Sequence, residues 1–347
     1  MTLEAHLSAA LAFGLATAAV AAPLPRVDFG ARLEPAGHIL TGAGQVEPDD
    51  VLAYARALER RADPVIFMDY VDAHDTNMDL FFDQLNEKLA KLPWYAVPQI
   101  GLGFDDEHGK PYDAEAAKGK YDVNLKRMSR RLVQLGRPVY LRIGYEFHGS
   151  WNGYTPDSYR AVFRRVHDFL AEAGATNVAT VWCAEAGALP KDYARFYPGD
   201  EVVDWWAIDL FSTDGFASNA VVELFMNEAL KHRKPVMIGE STPRYVTTLK
   251  GMESWNGWFA PYFRFIDEHP NVKAFCYINW DWAYYAKKYS LDWADWGDAR
   301  LQNGPLVAER FGKELENPCY LTGTNAAETL RALAPRGDRA ARGARQD

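Results

Sequence analysis

The chain has 347 residues, 48% of them hydrophobic and 24% charged, which is long enough to bury a large core and argues against a disordered or fibrous protein. Its net charge of −9 argues against a nucleic-acid partner, which would need clustered Lys and Arg. Three cysteines (Cys183, Cys276 and Cys319) are odd in number and form no C-x-x-C pair, so neither a disulfide framework nor a zinc site is indicated. Aromatic residues are abundant, at 11 Trp, 18 Tyr and 18 Phe, and flat aromatic faces suit a sugar ligand.

In chain order, Leu7–Val20 is an apolar, Ala-rich run followed by Ala19-Val20-Ala21-Ala22-Pro23. This pattern predicts a signal peptide over 1–22 and a secreted or periplasmic protein, with an ordinary Ala-rich helix as the alternative. Strand-like apolar runs follow at His38–Gln45, Pro64–Val71, Tyr95–Phe104, Pro138–Phe147, Val178–Ala186, Val203–Phe211, Pro235–Thr242 and Val272–Trp282. Amphipathic helical patterns separate them at Asp49–Arg61, Met78–Leu92, Tyr121–Leu135, Pro156–Ala173, Ala220–His232 and Met252–His269, and a last helix is expected over Pro305–Leu315. The gap Leu189–Asp200 is only weakly helical. No apolar run approaches the ~20 residues of a membrane span. Residues 322–347 are poor in large apolar side chains and read as a disordered tail.

Eight strands, each followed by a crossover, predict an α/β fold of the (β/α)8 TIM-barrel type as one domain over 23–321. The rival, a doubly wound open sheet, would carry a Gly-rich phosphate turn after its first strand, and Thr41-Gly42-Ala43-Gly44 is an incomplete match. Barrel chemistry sits at the C-terminal ends of the strands. The fourth run ends with Glu146 in Arg142-Ile143-Gly144-Tyr145-Glu146-Phe147-His148, and the seventh with Glu240 in Ile238-Gly239-Glu240-Ser241. A carboxylate among apolar and aromatic neighbours costs several kcal/mol unless it is paired or functional. Strands four and seven face each other across a barrel mouth. Hydrolysis of a glycoside with retention needs two carboxyls about 5–5.5 Å apart on either side of the bond.

The segment Arg142–Tyr154 (RIGYEFHGSWNGY), with Thr155-Pro156-Asp157-Ser158-Tyr159-Arg160 after it, resembles glycoside hydrolase family 26, as does the Gly239-Glu240 pair. That family consists of retaining barrel enzymes best known as endo-β-mannanases. Phe196-Tyr197-Pro198-Gly199-Asp200 before Val203-Asp204-Trp205-Trp206 is similar to its lead into strand six. The resemblance implies Glu146 as acid/base and Glu240 as nucleophile, with Arg142 near the nucleophile or in a barrel-mouth salt bridge. The chain departs from the family where Tyr145 replaces His and His148 replaces Asn. The Tyr that the family places on strand six is not obvious, since Asp209 and Phe211 stand in that run.

Trp151, in a Gly- and Ser-containing loop, is expected to stack on a sugar or to pack. Trp280 and Trp282 should alternate faces with period two, which makes Trp280 the platform under the catalytic sugar. Trp182 and Asp209 are further expected substrate contacts, with Tyr145 and His148 beside the acid/base. Glu185, Asp69 and His74 are weaker candidates. No metal or other cofactor is expected, and no protein partner is inferred. The expected activity is a retaining glycoside hydrolase on a β-linked polysaccharide or oligosaccharide, of β-mannan type first. The alternatives are the same chemistry on a β-glucan or xylan, exo cleavage, or a non-catalytic glycan-binding barrel.

Overall fold

The computed structural model describes residues 25–44, 47–59, 63–106, 109–323 and Leu333. The predicted leader over 1–22 and nearly all of the predicted tail over 322–347 lie outside them. Buried parallel strands read as continuous apolar runs, and each of the eight runs becomes one strand: β1 (Ile39–Ala43), β2 (Ile66–Asp72), β3 (Val97–Gly103), β4 (Val139–Ile143), β5 (Val178–Glu185), β6 (Trp205–Leu210), β7 (Val236–Ser241) and β8 (Val272–Tyr277). They pair in parallel in sequence order, and β1 pairs with both β8 and β2, so the sheet closes. The result is the expected single (β/α)8 barrel. A short ninth strand, β9 (Tyr320–Leu321), lies against the lower half of β1, beneath the two residues, Gly42 and Ala43, that reach β2.

The helices in chain order are α1 (Pro48–Ala57), α2 (Met78–Ala90), α3 (Asp113–Ala117), α4 (Asp122–Gln134), α5 (Pro156–Glu172), α6 (Thr213–Phe216), α7 (Ala220–Lys231), α8 (Met252–Ser254), α9 (Ala260–Glu268), α10 (Trp282–Tyr289) and α11 (Pro305–Glu314). Helices α8 and α9 are joined through a π turn over Trp255–Phe259, so the predicted Met252–His269 segment is one nearly continuous element. Proline opens α1, α5 and α11, where its missing N–H costs nothing. In α5, Tyr159, Val162, Phe163, Val166, Phe169 and Leu170 are buried against the barrel, as the period predicts. The fifth crossover carries only the 3-10 turn Tyr193–Phe196.

Two boundaries differ from expectation, and both bear on the mouth. Strand β4 stops at Ile143, so Glu146 stands on a turn beyond the strand with φ +51°. The eighth run ends at Tyr277, and Trp282 opens α10 under an Asp281 cap that accepts from the Tyr284 N–H at 3.1 Å. The period-two argument for Trp280 and Trp282 therefore fails, because helical geometry begins between them.

Inside the barrel, Tyr140, Ala179, Val181, Cys183, Trp205, Ala207 and Met237 form a cluster separate from the layer between strands and helices. Met237 faces inward and Ile238 outward, so strict alternation would turn Glu240 outward. The register of β7 slips between Ile238 and Ser241 against both neighbours. Such an irregularity re-aims a side chain, and here Glu240 is turned toward the axis. The Gln99 amide from β3 donates to the Gly239 carbonyl at 2.9 Å and holds the slipped backbone. A Cβ on Gly239 would lie 2.6 Å from Asp209 Oδ1 and 3.0 Å from Arg142 Nη1. Gly239→Ala should therefore cost about 1–3 kcal/mol through overpacking. Chemical denaturation should register that loss, together with impaired function at the mouth.

Candidate active site

Arg142 leaves β4 pointing up the barrel axis and is wholly buried. A buried guanidinium needs its charge compensated. Nη1 pairs with Asp209 Oδ2 at 3.1 Å and Nη2 with Glu240 Oε1 at 2.6 Å, tying β4 to β6 and β7. The rings of Tyr145 and Tyr70 lie 5.0 and 5.7 Å from the guanidinium carbon, adding cation–π attraction. Burial opposes the charge, but Glu240 and Asp209 favour it more and hold the Arg142 pKa well above its usual range. Asp209 has no exposed surface and is raised chiefly by burial, with Arg142 opposing. It was expected to touch substrate. Its position is behind Arg142, where it orients the guanidinium.

Glu240 Oε1 also accepts from the Tyr70 hydroxyl at 2.9 Å. Tyr70 stands near the end of β2, where residues alternate: Met68 and Tyr70 face the mouth, while Asp69 faces α2 and pairs with Lys88 at 3.0 Å. The tyrosine absent from strand six is thus matched by one on strand two. A Cβ on Gly101 of β3 would strike Tyr70 Cδ1 at 2.6 Å, so this glycine leaves room for the ring. Asp69, a weaker candidate from sequence, is a strand-to-helix ion pair.

Glu146 is set by the turn that follows β4. The Asn152 side-chain amide donates to the Tyr145 carbonyl at 2.8 Å and the Glu146 carbonyl at 3.0 Å. The Gly149 N–H donates to the Glu146 carbonyl at 2.8 Å. Trp151 is 45% exposed, and its indole N–H donates to Glu146 Oε2 at 2.7 Å. Burial raises the Glu146 pKa well above the usual carboxylate range, and the charges of Asp209, Glu240 and Glu185 add to it while Arg142 opposes. The shift is in the direction that favours the neutral carboxyl.

The other expected residues divide. Tyr145 packs its ring 5.5 Å from that of Tyr70, within the mouth. His148 lies edge-on to Phe147, and burial lowers its pKa to about 4, so the ring is neutral. Trp280 joins a mouth cluster with Met68 and Phe211, its ring 3.9 Å from Tyr285 and nearly parallel. Trp282 donates to Thr242 Oγ1 at 2.9 Å and is structural. Trp182 corrects the sequence reading: it is fully buried on the outer face of β5, stacked 4.4 Å from Phe147, and packs the strand-to-helix layer. Glu185 accepts from the Gly187 and Ala188 N–H groups at 2.7 Å each. His74 Nδ1 bonds the Tyr112 hydroxyl at 2.8 Å. Nearby Asp72 is raised to about 6, mainly by burial and then by Asp105. Among the described residues, no group of three or more His, Cys, Asp or Glu is placed to hold a metal ion.

A closed parallel barrel carrying one glutamate with a raised pKa after its fourth strand and one Arg-paired glutamate on its seventh has the layout of a glycoside hydrolase. Comparison with known proteins makes the class specific: residues 117–273 match the model of glycosyl hydrolase family 26, and the chain belongs to that family. It is 32% identical to a β-1,3-xylanase of an Alcaligenes species over 320 residues, covering 84% of this chain and 66% of that protein. It is likewise 32% identical to the β-1,3-xylanase TXYA of a Vibrio species over 229 residues, covering 59% of this chain and 49% of that protein. The chain thus spans 66% or less of the length of these relatives. A family 26 β-mannanase of Bacteroides ovatus shares the fold at a TM-score of 0.59 and 16% identity, over 84% of this chain and 92% of that one.

Tyr70→Phe keeps the ring and removes only the hydroxyl on Glu240. Turnover should fall roughly 10–100-fold with little change in unfolding temperature, since one hydrogen bond to a charged group contributes about 1.5–3 kcal/mol. Glu185→Gln removes one of the negative charges that raise Glu146. The Glu146 pKa should then drop, so activity should be lost at lower pH on the alkaline side, by ~0.5 unit. A pH–rate profile against wild type reads the sign.

Proposed function

We propose that the chain is a retaining β-glycanase in which Glu146 is the acid/base and Glu240 the nucleophile. The reading rests on the contrast between the two glutamates. Burial and negative neighbours raise the Glu146 pKa, while Glu240 is fixed by Arg142 and Tyr70. Because both donors hold Oε1 of Glu240, Oε2 is the oxygen left to attack the anomeric carbon. As the C1–Oε2 bond forms, the glycosidic C–O bond breaks and the Glu146 proton passes to the leaving oxygen. Glu146, now a carboxylate, takes a proton from water; that water attacks C1 and releases Glu240.

For the substrate we propose β-1,3-xylan ahead of β-mannan. The relatives aligned over the greater part of the chain carry that activity in their names, whereas the mannanase likeness lies in the fold alone. The Tyr145 and His148 departures fall beside the acid/base, where the sugar nearest the scissile bond would sit. Since a polysaccharide does not cross a membrane unaided, we propose action outside the cytoplasm. Among the described residues, no helix is long and apolar enough to cross a membrane.

Reducing-end release from β-1,3-xylan, β-1,4-mannan and β-glucan should be greatest on the first. Faster release from mannan would return the assignment to the mannanases, and retained binding without release would make the barrel a glycan binder. Glu240→Ala should lose activity and regain turnover of an activated aryl glycoside with azide, giving a glycosyl azide of inverted configuration. Undiminished turnover of this variant without azide would sink the nucleophile assignment.

A further inference from the structure

The exposed Trp151 is more than a flat face at the mouth. Its indole N–H reaches Glu146 Oε2 at 2.7 Å, and the turn is built around that contact. A Cβ on Gly149 would lie 2.3 Å from Trp151 Cε2, so the indole lies directly over a residue that must be glycine. Glu146 itself is held at φ +51°, a conformation unfavourable for a glutamate and secured by the Asn152 and Gly149 bonds to its carbonyl. Backbone and ring are therefore fixed together.

We propose that Trp151 is a positioning residue that decides which oxygen of Glu146 carries the catalytic proton, an inference that rests on the acid/base reading above. An N–H donor at Oε2 makes that atom the carbonyl oxygen of the neutral acid and leaves the proton on Oε1. When the proton moves from Oε1 to the glycosidic oxygen and the C1–O bond breaks, Glu146 becomes a carboxylate. The N–H···Oε2 bond is then charge-assisted and stronger than in the ground state, so it favours the transition state over bound substrate. When Glu146 later deprotonates water, the same bond weakens again and the proton returns to Oε1. Because the donor favours the ionised form, it moderates the upward shift that burial and the surrounding carboxylates impose.

Trp151→Phe keeps an aromatic face and deletes the N–H. On aryl β-1,3-xylobiosides, the phenyl leaving group needs a proton and 2,4-dinitrophenolate does not. With the phenyl substrate, kcat should fall about tenfold with KM nearly unchanged, and the alkaline limb should move up by about one pH unit. The dinitrophenyl substrate should lose less than about twofold in the glycosylation step. Carbon-13 NMR of the labelled Glu146 carboxyl, which needs no turnover, should show the same upward titration shift. Equal losses on both leaving groups, or an unmoved Glu146 titration, would overturn the inference and leave Trp151 a stacking platform. Glu146→Ala run alongside separates the two ideas. If it is selectively slow on the phenyl substrate while Trp151→Phe is not, only the positioning role fails. If Glu146→Ala retains wild-type rates on both, the acid/base assignment fails with it.

Discussion

The barrel mouth depends on one buried cation. Arg142 carries its charge into a wholly enclosed position and is met there by Asp209, Glu240 and two tyrosine rings. Removing Arg142 would strand two buried carboxyl groups without their cation, at a cost of about 3–5 kcal/mol, far more than an exposed pair would lose. The arrangement ties the fourth, sixth and seventh strands together at the level where Glu240 must stand, and Tyr70 adds the second strand. A carboxyl group held by two donors needs little reorganisation when charge develops in front of it.

The two glutamates stand in one site in different surroundings. Glu146 sees burial and three negative neighbours, with Arg142 as the opposing charge. Glu240 receives the guanidinium directly at 2.6 Å. The same residue type thus meets different electrostatic environments at the ends of different strands. Asp209 contributes to both: it pairs with Arg142 and adds to the field that raises the Glu146 pKa.

Much of this layout was readable in the chain, and the misreadings have physical causes. The eight strands were visible because buried parallel strands are apolar throughout. That same property hid which face each residue takes. Trp182 looked like a mouth residue only because β5 is apolar on both sides and shows no alternation to orient it. Glu146, Glu240 and Arg142 stood out as charges in apolar runs. Tyr70 did not, because an aromatic in a strand is unremarkable until its partner, 170 residues away, is brought beside it. The period-two reading of Trp280 and Trp282 failed because Asp281 starts a helix between them. The slip in β7 that aims Glu240 also left no mark in the sequence beyond Gly239.

The short ninth strand gives the barrel a particular order of assembly. Its residues add to the lower half of β1, and the Thr41 hydroxyl donates to the Leu321 carbonyl at 2.9 Å across 280 positions of sequence. Strand β1 precedes the other strands in the chain, yet it is flanked by β8 along one edge and by β9, below β2, along the other. Loop-closure entropy on that scale must be overcome before those contacts return any energy. On a ribosome adding residues from the N-terminus, β1 therefore waits with its β8 edge unpaired while the rest of the sheet grows. Closure of the ring is a late event, and until then that open edge is exposed to mispairing.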